Sequence, residues 1–138
     1  MGTGCPVSQL QPGAVPAALP GFSDSSRVPG AVAWMGDNRF AAVLFYADGP
    51  DPRMRAGGQM NATRSTKIFW WSASGGTRLV IHGREAATGR TFNQAVDGLG
   101  AGQFPSVPVI PGPGCWTLTE DVDGSTVDSI TVPVLPAL

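Results

Sequence analysis

The sequence is short of charge, of histidine and of unbroken apolar chain, and each shortage closes off a class of function. Asp, Glu, Lys and Arg make up 14% of its 138 residues, against about 25% in an average domain. With a formal net charge of −1, it has no basic footprint for nucleic acid and no polybasic stretch for an anionic membrane surface. No apolar run reaches the ~18 residues of a membrane-spanning helix. Nor does a charged segment followed by an apolar one mark a secretory leader. Met1-Gly2-Thr3-Gly4-Cys5 reads instead as a start added to a mature sequence. One histidine, His82, and two widely separated cysteines do not supply the ligands of a zinc site. No Gly-x-Ser-x-Gly elbow occurs, and no cofactor is expected.

Helical patterning is also missing. The chain holds 19 glycines and 13 prolines, which interrupt every window where a helical stripe would run, and its apolar runs are rich in Val, Ile, Phe and Trp. The length fits one domain able to bury roughly two thirds of its extended-chain surface. Strand candidates fall at 31–34, 39–46, 67–71, 78–83, 91–95 and 104–109, followed by a C-terminal hairpin. The 39–46 segment is apolar on both alternating faces, as in a strand covered on both sides. The 67–71 and 78–83 segments, separated by a short Ser/Gly loop, read as a hairpin. Prolines place 104–109 at a sheet edge. In the last hairpin Trp116, Leu118, Glu120 and Val122 share one face, and Asp123-Gly124 makes the turn because both positions tolerate positive φ. About seven short strands at this spacing predict two antiparallel sheets packed as an immunoglobulin-like β-sandwich, with a partly open β-barrel as the alternative.

Residues 1–29 form a Pro/Gly/Ser-rich arm preceding a sandwich domain at 30–138. Its prolines lack the amide hydrogen of a ladder, while Val7, Leu10, Val15, Leu19 and Phe22 are apolar enough to pack along a sheet. We expect the arm to be draped over the domain and pinned at Cys5. A bridge from Cys5 to Cys115 would suit an oxidising compartment. Two free thiols, or lipid modification at Gly4-Cys5, are the alternatives. The section 47–66 is too long for a simple hairpin loop, and loops of that length are commonly functional or mobile.

Several short pieces together are similar to a group of uncharacterised bacterial secreted proteins often predicted as lipoproteins. They are Cys5-Pro6-Val7, Trp34 with Gly36-Asp37-Asn38, Lys67 with Trp70-Trp71, Arg78-Leu79 with Ile81 and Gly83, Phe104-Pro105, and Gly114-Cys115-Trp116. The 47–66 section departs from that pattern. The resemblance implies an exported bacterial β-domain, extracellular or at the cell surface, with paired cysteines. It transfers no catalytic residue.

Chemistry is thinly signalled. A catalytic His82 would need a nucleophile and an orienting carboxylate, and a structural histidine is the commoner case. Met54, Met60 and His82 have no metal-specific spacing. Asp121-Val122-Asp123-Gly124-Ser125 resembles the start of a calcium loop but lacks its later ligands, and a hairpin turn explains it better. Glu85, Glu120 and Asp121 are the carboxylates a glycosidase would pair. Trp70-Trp71 is sharper: adjacent strand residues point to opposite faces, so one tryptophan faces outward. It is either covered by the arm or the 47–66 section, or exposed as a platform for a sugar or a protein. The two tryptophans, with Arg53, Arg55 and Arg64 of the long section, are the candidate ligand-contacting residues. The function expected is a non-catalytic binding or structural module, with a carbohydrate-binding module and a small His82 hydrolase as rivals.

Overall fold

The computed structural model describes residues 4–19, 32–47 and 49–138. Phe22 and Ala31 therefore lie outside the described residues. Among the described residues nine strands form two sheets: β1 (Trp34–Gly36), β2 (Phe40–Leu44), β3 (Met54–Arg55), β4 (Ile68–Ser72), β5 (Arg78–Glu85), β6 (Thr91–Asp97), β7 (Gln103–Ser106), β8 (Gly114–Val122) and β9 (Ser125–Leu135). One sheet has the order β1-β2-β4-β7 and the other β3-β9-β8-β5-β6. The chain is thus an all-β sandwich of four and five strands. All pairings are antiparallel except β3 with β9, which run parallel.

The alternation read from the sequence places the core. Phe40, Ala42, Leu44, Ile68, Trp70 and Phe104 face Leu79, Ile81, Trp116, Leu118, Ile130 and Val132 across the inter-sheet space, all buried. Every residue of β2 is buried, as its two-sided apolar pattern predicts. The turn before β2 requires glycine: Gly36 sits at φ +111°, and a Cβ there would lie 2.2 Å from the Phe40 carbonyl oxygen. Asp123 and Gly124 both adopt positive φ, 49° and 87°, which completes the expected hairpin turn.

One local expectation fails. Segments 67–71 and 78–83 do not pair with each other; β4 lies between β2 and β7, whereas β5 lies between β8 and β6. Their Ser/Gly link crosses from one sheet to the other. A short polar loop says where the chain turns, but not whether the next strand rejoins the same sheet.

The 47–66 section is built into the fold. The buried Tyr46 hydroxyl donates to the Pro52 carbonyl at 2.6 Å. Burial, with the negative Asp51 nearby, pushes the Tyr46 phenol far above its usual range. Gly57 N donates to Ile110 O and Thr66 Oγ1 to Pro108 O, at 3.0 and 2.6 Å. A Gln59–Ser65 bridge closes the tip.

Both open sides of the sandwich are stitched by segments outside the ladders. On one side the arm runs along β9, where Ser8 N donates to Thr131 O at 2.9 Å and Thr131 N to Ser8 Oγ at 2.8 Å. It then reaches β1, where Gln11 N and Nε2 donate to the carbonyls of Trp34 and Gly36 at 2.9 and 2.6 Å. On the other side the Gln94 amide of β6 donates to Val107 O and accepts from Val109 N, both at 2.9 Å. On the arm side, the backbone groups of Trp34, Gly36 and Thr131 are thereby occupied.

Candidate functional site

The two tryptophans take opposite faces as the strand period requires, yet neither is a platform. Trp70 is fully buried between the sheets, with its Nε1 donating to Ser106 Oγ at 2.9 Å. Trp71 faces outward but is only 3% exposed. It forms a second buried cluster with Trp34, Ala41 and Val43 of its own sheet and with Val15 and Leu19 of the arm. The arm takes the place a ligand would have had.

The three arginines also fail to converge. Arg53 is exposed and folds back onto Asp51 at 2.7 Å. Arg55 donates to the carbonyls of Met60 and Pro136 at 3.2 and 3.0 Å, fastening the loop to the chain end. Arg64 is exposed, and its carbonyl closes a turn by accepting from Met60 N at 2.8 Å. No shared anion seat results.

His82 lies on the outer face of the five-stranded sheet. Its Nδ1 is 2.7 Å from Asn93 Oδ1 and its Nε2 2.9 Å from Asp121 Oδ2. Thr126 Oγ1 donates to the other Asp121 oxygen at 2.7 Å. Each ring nitrogen is occupied, so neither is placed to take a proton from a hydroxyl nucleophile. Met54 is buried in the core and Met60 packs at its margin, so His82 and the two methionines have separate surroundings.

The remaining carboxylates are spoken for by the backbone. Asp123 accepts from Thr77 N, Thr77 Oγ1 and Arg78 N, tying the hairpin turn to β5. Glu85 accepts from the amides of Ala87, Thr88 and Cys115 at 2.9–3.1 Å. These bonds to the charged form hold its pKa down to about 2. Beside it, Cys5 and Cys115 are disulfide-bonded, with Cα atoms 5.4 Å apart. The Cys5 sulfur is therefore not free for lipid attachment.

Glu120 is the exception. It belongs to the inner face of β8 with Trp116 and Leu118, is fully buried, and neither carboxyl oxygen has a hydrogen-bond partner among the described residues. Directly opposite it on β9 stands Asp128, and paired residues of an antiparallel ladder share a face. Asp128 lines a cleft of about 550 Å³ at one end of the sandwich, with Val127, Asp37, Arg39 and Phe40 of the β1–β2 turn, and Ser72, Ala73 and Ser74 at the end of β4.

The electrostatics of this end are mixed. Burial, and then the negative charges of Asp128 and Asp121, push Glu120 well above the ordinary carboxylate range. Burial also raises Asp128, against a hydrogen bond from the Ser129 amide that lowers it, with a smaller upward contribution from Asp37. Asp37 itself is held low by the amides of Arg39 and Phe40, to which it is bonded at 2.8 and 3.1 Å. The Arg39 guanidinium makes no hydrogen bond among the described residues, and the Ser72 and Ser74 hydroxyls lie 3.2 Å apart. In the sequence, Arg39 is the first residue of an apolar strand and Glu120 a possible glycosidase carboxylate, and neither reading points to this end of the sandwich. The available signal was one acidic residue on an otherwise apolar alternating face.

Glu120 has a stability consequence. A carboxyl whose pKa is raised by folding stabilises the native state below its unfolded value, here 4.5, and loses that contribution as pH rises. Glu85 acts oppositely, its contribution falling away as pH drops from 4.5 towards about 2. We therefore expect stability to peak in mildly acidic solution. Glu120→Met should raise stability at pH 7 by about 1–3 kcal/mol and flatten the neutral limb. Urea titrations across pH would check both, and a destabilised Glu120→Met variant would show that the carboxyl is satisfied in solution.

These features define a disulfide-clamped, two-sheet β domain with a cleft at one end that is lined by Asp37, Arg39 and Asp128, and with no assembled catalytic triad among the described residues. No family profile matches the chain, and no curated protein matches it. Its fold is similar to that of a putative lipoprotein from Bacillus anthracis, with a TM-score of 0.51 and 13% sequence identity, covering 78% of this chain and 81% of that one. At that identity the likeness concerns the fold alone. No helix among the described residues is long and apolar enough to cross a membrane.

Proposed function

We propose that the chain is an exported β-sandwich module that binds a ligand and performs no chemistry of its own, with the cleft beside Asp128 as its binding seat. The observation that carries this reading is an open cleft that gathers Asp37, Arg39, Ser72, Ser74 and Asp128, in a fold where Glu120 alone among the described residues has buried side-chain polar atoms without a partner. The Cys5–Cys115 bridge supports export, because such bonds persist in oxidising compartments. The Bacillus anthracis neighbour carries a lipoprotein's name, which agrees with a surface or extracellular location. The strand order supports an immunoglobulin-like reading. The orders β2-β4-β7 and β9-β8-β5-β6 are compatible with A-B-E and G-F-C-C′ of that fold, with β1 and β3 as additions. The arm at 1–29 is read as part of the same module, and the contacts of Ser8, Gln11, Val15 and Leu19 support that reading.

The non-catalytic reading is tested by a turnover screen against ester, amide, glycoside and phosphate-ester substrates, run on the native protein and on His82→Ala. No turnover is expected from either, and His82→Ala should change stability by less than about 1 kcal/mol, because the pair with Asp121 is partly exposed. Turnover by the native protein that disappears in His82→Ala would replace this reading with the hydrolase.

A further inference from the structure

Edge strands decide what a sandwich can join, and among the described residues three of the four edges here are covered or too short to extend. Strand β3 has two residues, β7 has four with Pro105 among them, and β1 is overlaid by the arm through Gln11. The fourth edge, β6, is different. It runs seven residues in unbroken register with β5 and holds neither proline nor lysine. The phase of this ladder follows from its two ends. Glu85 N donates to Arg90 O and Gly98 N to Thr77 O, both at 2.8 Å, and hydrogen-bonded pairs alternate along an antiparallel ladder. Phe92, Gln94 and Val96 therefore turn their backbone groups to β5, while those of Thr91, Asn93, Ala95 and Asp97 point away from the sheet. These outward groups have no hydrogen-bond partner among the described residues, and all four residues are exposed. The nearby Val107 and Val109 bond the Gln94 side chain and leave them free. Sheets usually blunt such an edge with charges, a proline or a bulge; β6 has only Asp97, at its last position.

We propose that β6 pairs antiparallel with the β6 of a second copy, about a two-fold axis at Gln94, so that two five-stranded sheets become one. The edge is complementary to itself in two respects. In hydrogen bonding, this register sets Thr91 against the partner's Asp97 and Asn93 against the partner's Ala95, so each outward N–H meets an outward C=O. In charge, β6 carries an acid at its C-terminal end, Asp97. Bases stand at its N-terminal end: Arg90 just before the strand, and Arg84 opposite Thr91 on β5. Neither arginine, nor Asp97, forms a salt bridge among the described residues. Two-fold pairing brings the basic end of each copy to the acidic end of the other. An unrelated extended peptide would satisfy the backbone groups alone; the opposed end charges select a second copy. The same register carries the partner's β5–β6 turn towards Leu99, which is 71% exposed just past the end of β6. A pairing through one strand is a small interface, so association should be weak, about micromolar or weaker.

Sedimentation velocity of the full chain from roughly 1 μM to 1 mM tests this. A reversible monomer–dimer equilibrium is expected. Ala95→Pro removes an outward N–H without touching the bonds to β5, and should weaken association roughly tenfold or more. Asp97→Arg sets like charges together and should weaken it roughly threefold or more at low salt. Cross-linking reads the register: Asn93→Cys mixed with Ala95→Cys should form an interchain disulfide under mild oxidation, in preference to either variant alone. Near-UV circular dichroism confirms that each variant is folded, and if Ala95→Pro is not, Asp97→Arg and the cross-link decide. A native chain that stays monomeric throughout overturns the proposal and leaves the edge to a strand of another protein. A dimer that survives either substitution unchanged, or that cross-links equally in the separate variants, uses another surface or register and overturns it as well.

Discussion

Replacing Cys5 and Cys115 together with serine is expected to lower stability by up to about 4–5 kcal/mol, the chain-entropy value for a very long closed loop. The two residues are separated by 110 positions, so their bridge removes more freedom from the unfolded chain than a local one could. The native state should keep its shape, because the arm is also held by Ser8 against β9 and by Gln11 against β1. The loss should therefore appear as a lower denaturant midpoint with the cooperative transition retained. Guanidinium unfolding of the native and double-serine proteins provides the measurement. A loss below about 1 kcal/mol would mean that the unfolded chain is already compact enough to make the bridge nearly redundant.

The second large effect lies on the outer face of the four-stranded sheet. Trp71→Ala should cost about 3–5 kcal/mol, the usual range for deleting a large buried aromatic. Trp71 stands opposite Ala41 in the ladder and carries Val15 and Leu19 of the arm above it. Its removal leaves a cavity between a small residue and a segment with no ladder to hold it in place. The arm beyond Gln11 should then become protease-sensitive well before the sandwich unfolds. Limited proteolysis with mass detection would show cleavage confined to that segment. Cleavage spread through the strands, or a variant as stable as the native protein, would contradict the assignment of Trp71 as the arm's anchor.

What the sequence made legible was whatever depends on period and turn chemistry. Two-residue alternation puts Trp116, Leu118 and Val122 on one face, and Asp123-Gly124 sets the hairpin turn, because both signals act over a few residues. The same logic required Trp70 and Trp71 to part ways, but could not say what covers the outward one. That depends on Val15 and Leu19, more than fifty residues earlier in the chain. The β4–β5 link was misread for a related reason: pairing is decided by partners far away in sequence, and β4 finds them in β2 and β7. The parallel β3–β9 contact was invisible because two residues are too few to show a period. The cleft was the least legible feature, since it draws Asp37, Ser74 and Asp128 from three separated segments. Glu120 stands out in the sequence as an acid on an apolar face, but nothing local places Asp128 opposite it.

The bridge near the two ends of the chain has a mechanical consequence. Tension entering at the N-terminus passes through the Cys5 sulfur directly to Cys115 on β8 and leaves through β9 to the C-terminus. Everything from Pro6 to Gly114, and with it seven of the nine strands, is bypassed by the pulling force. Stretching such a molecule can peel away the final hairpin and release at most roughly 80 Å of chain, after which covalent bonds stop the extension. A protein held by one end in a flowing or crowded exterior would keep most of its sandwich, and most walls of its cleft, out of the line of pull.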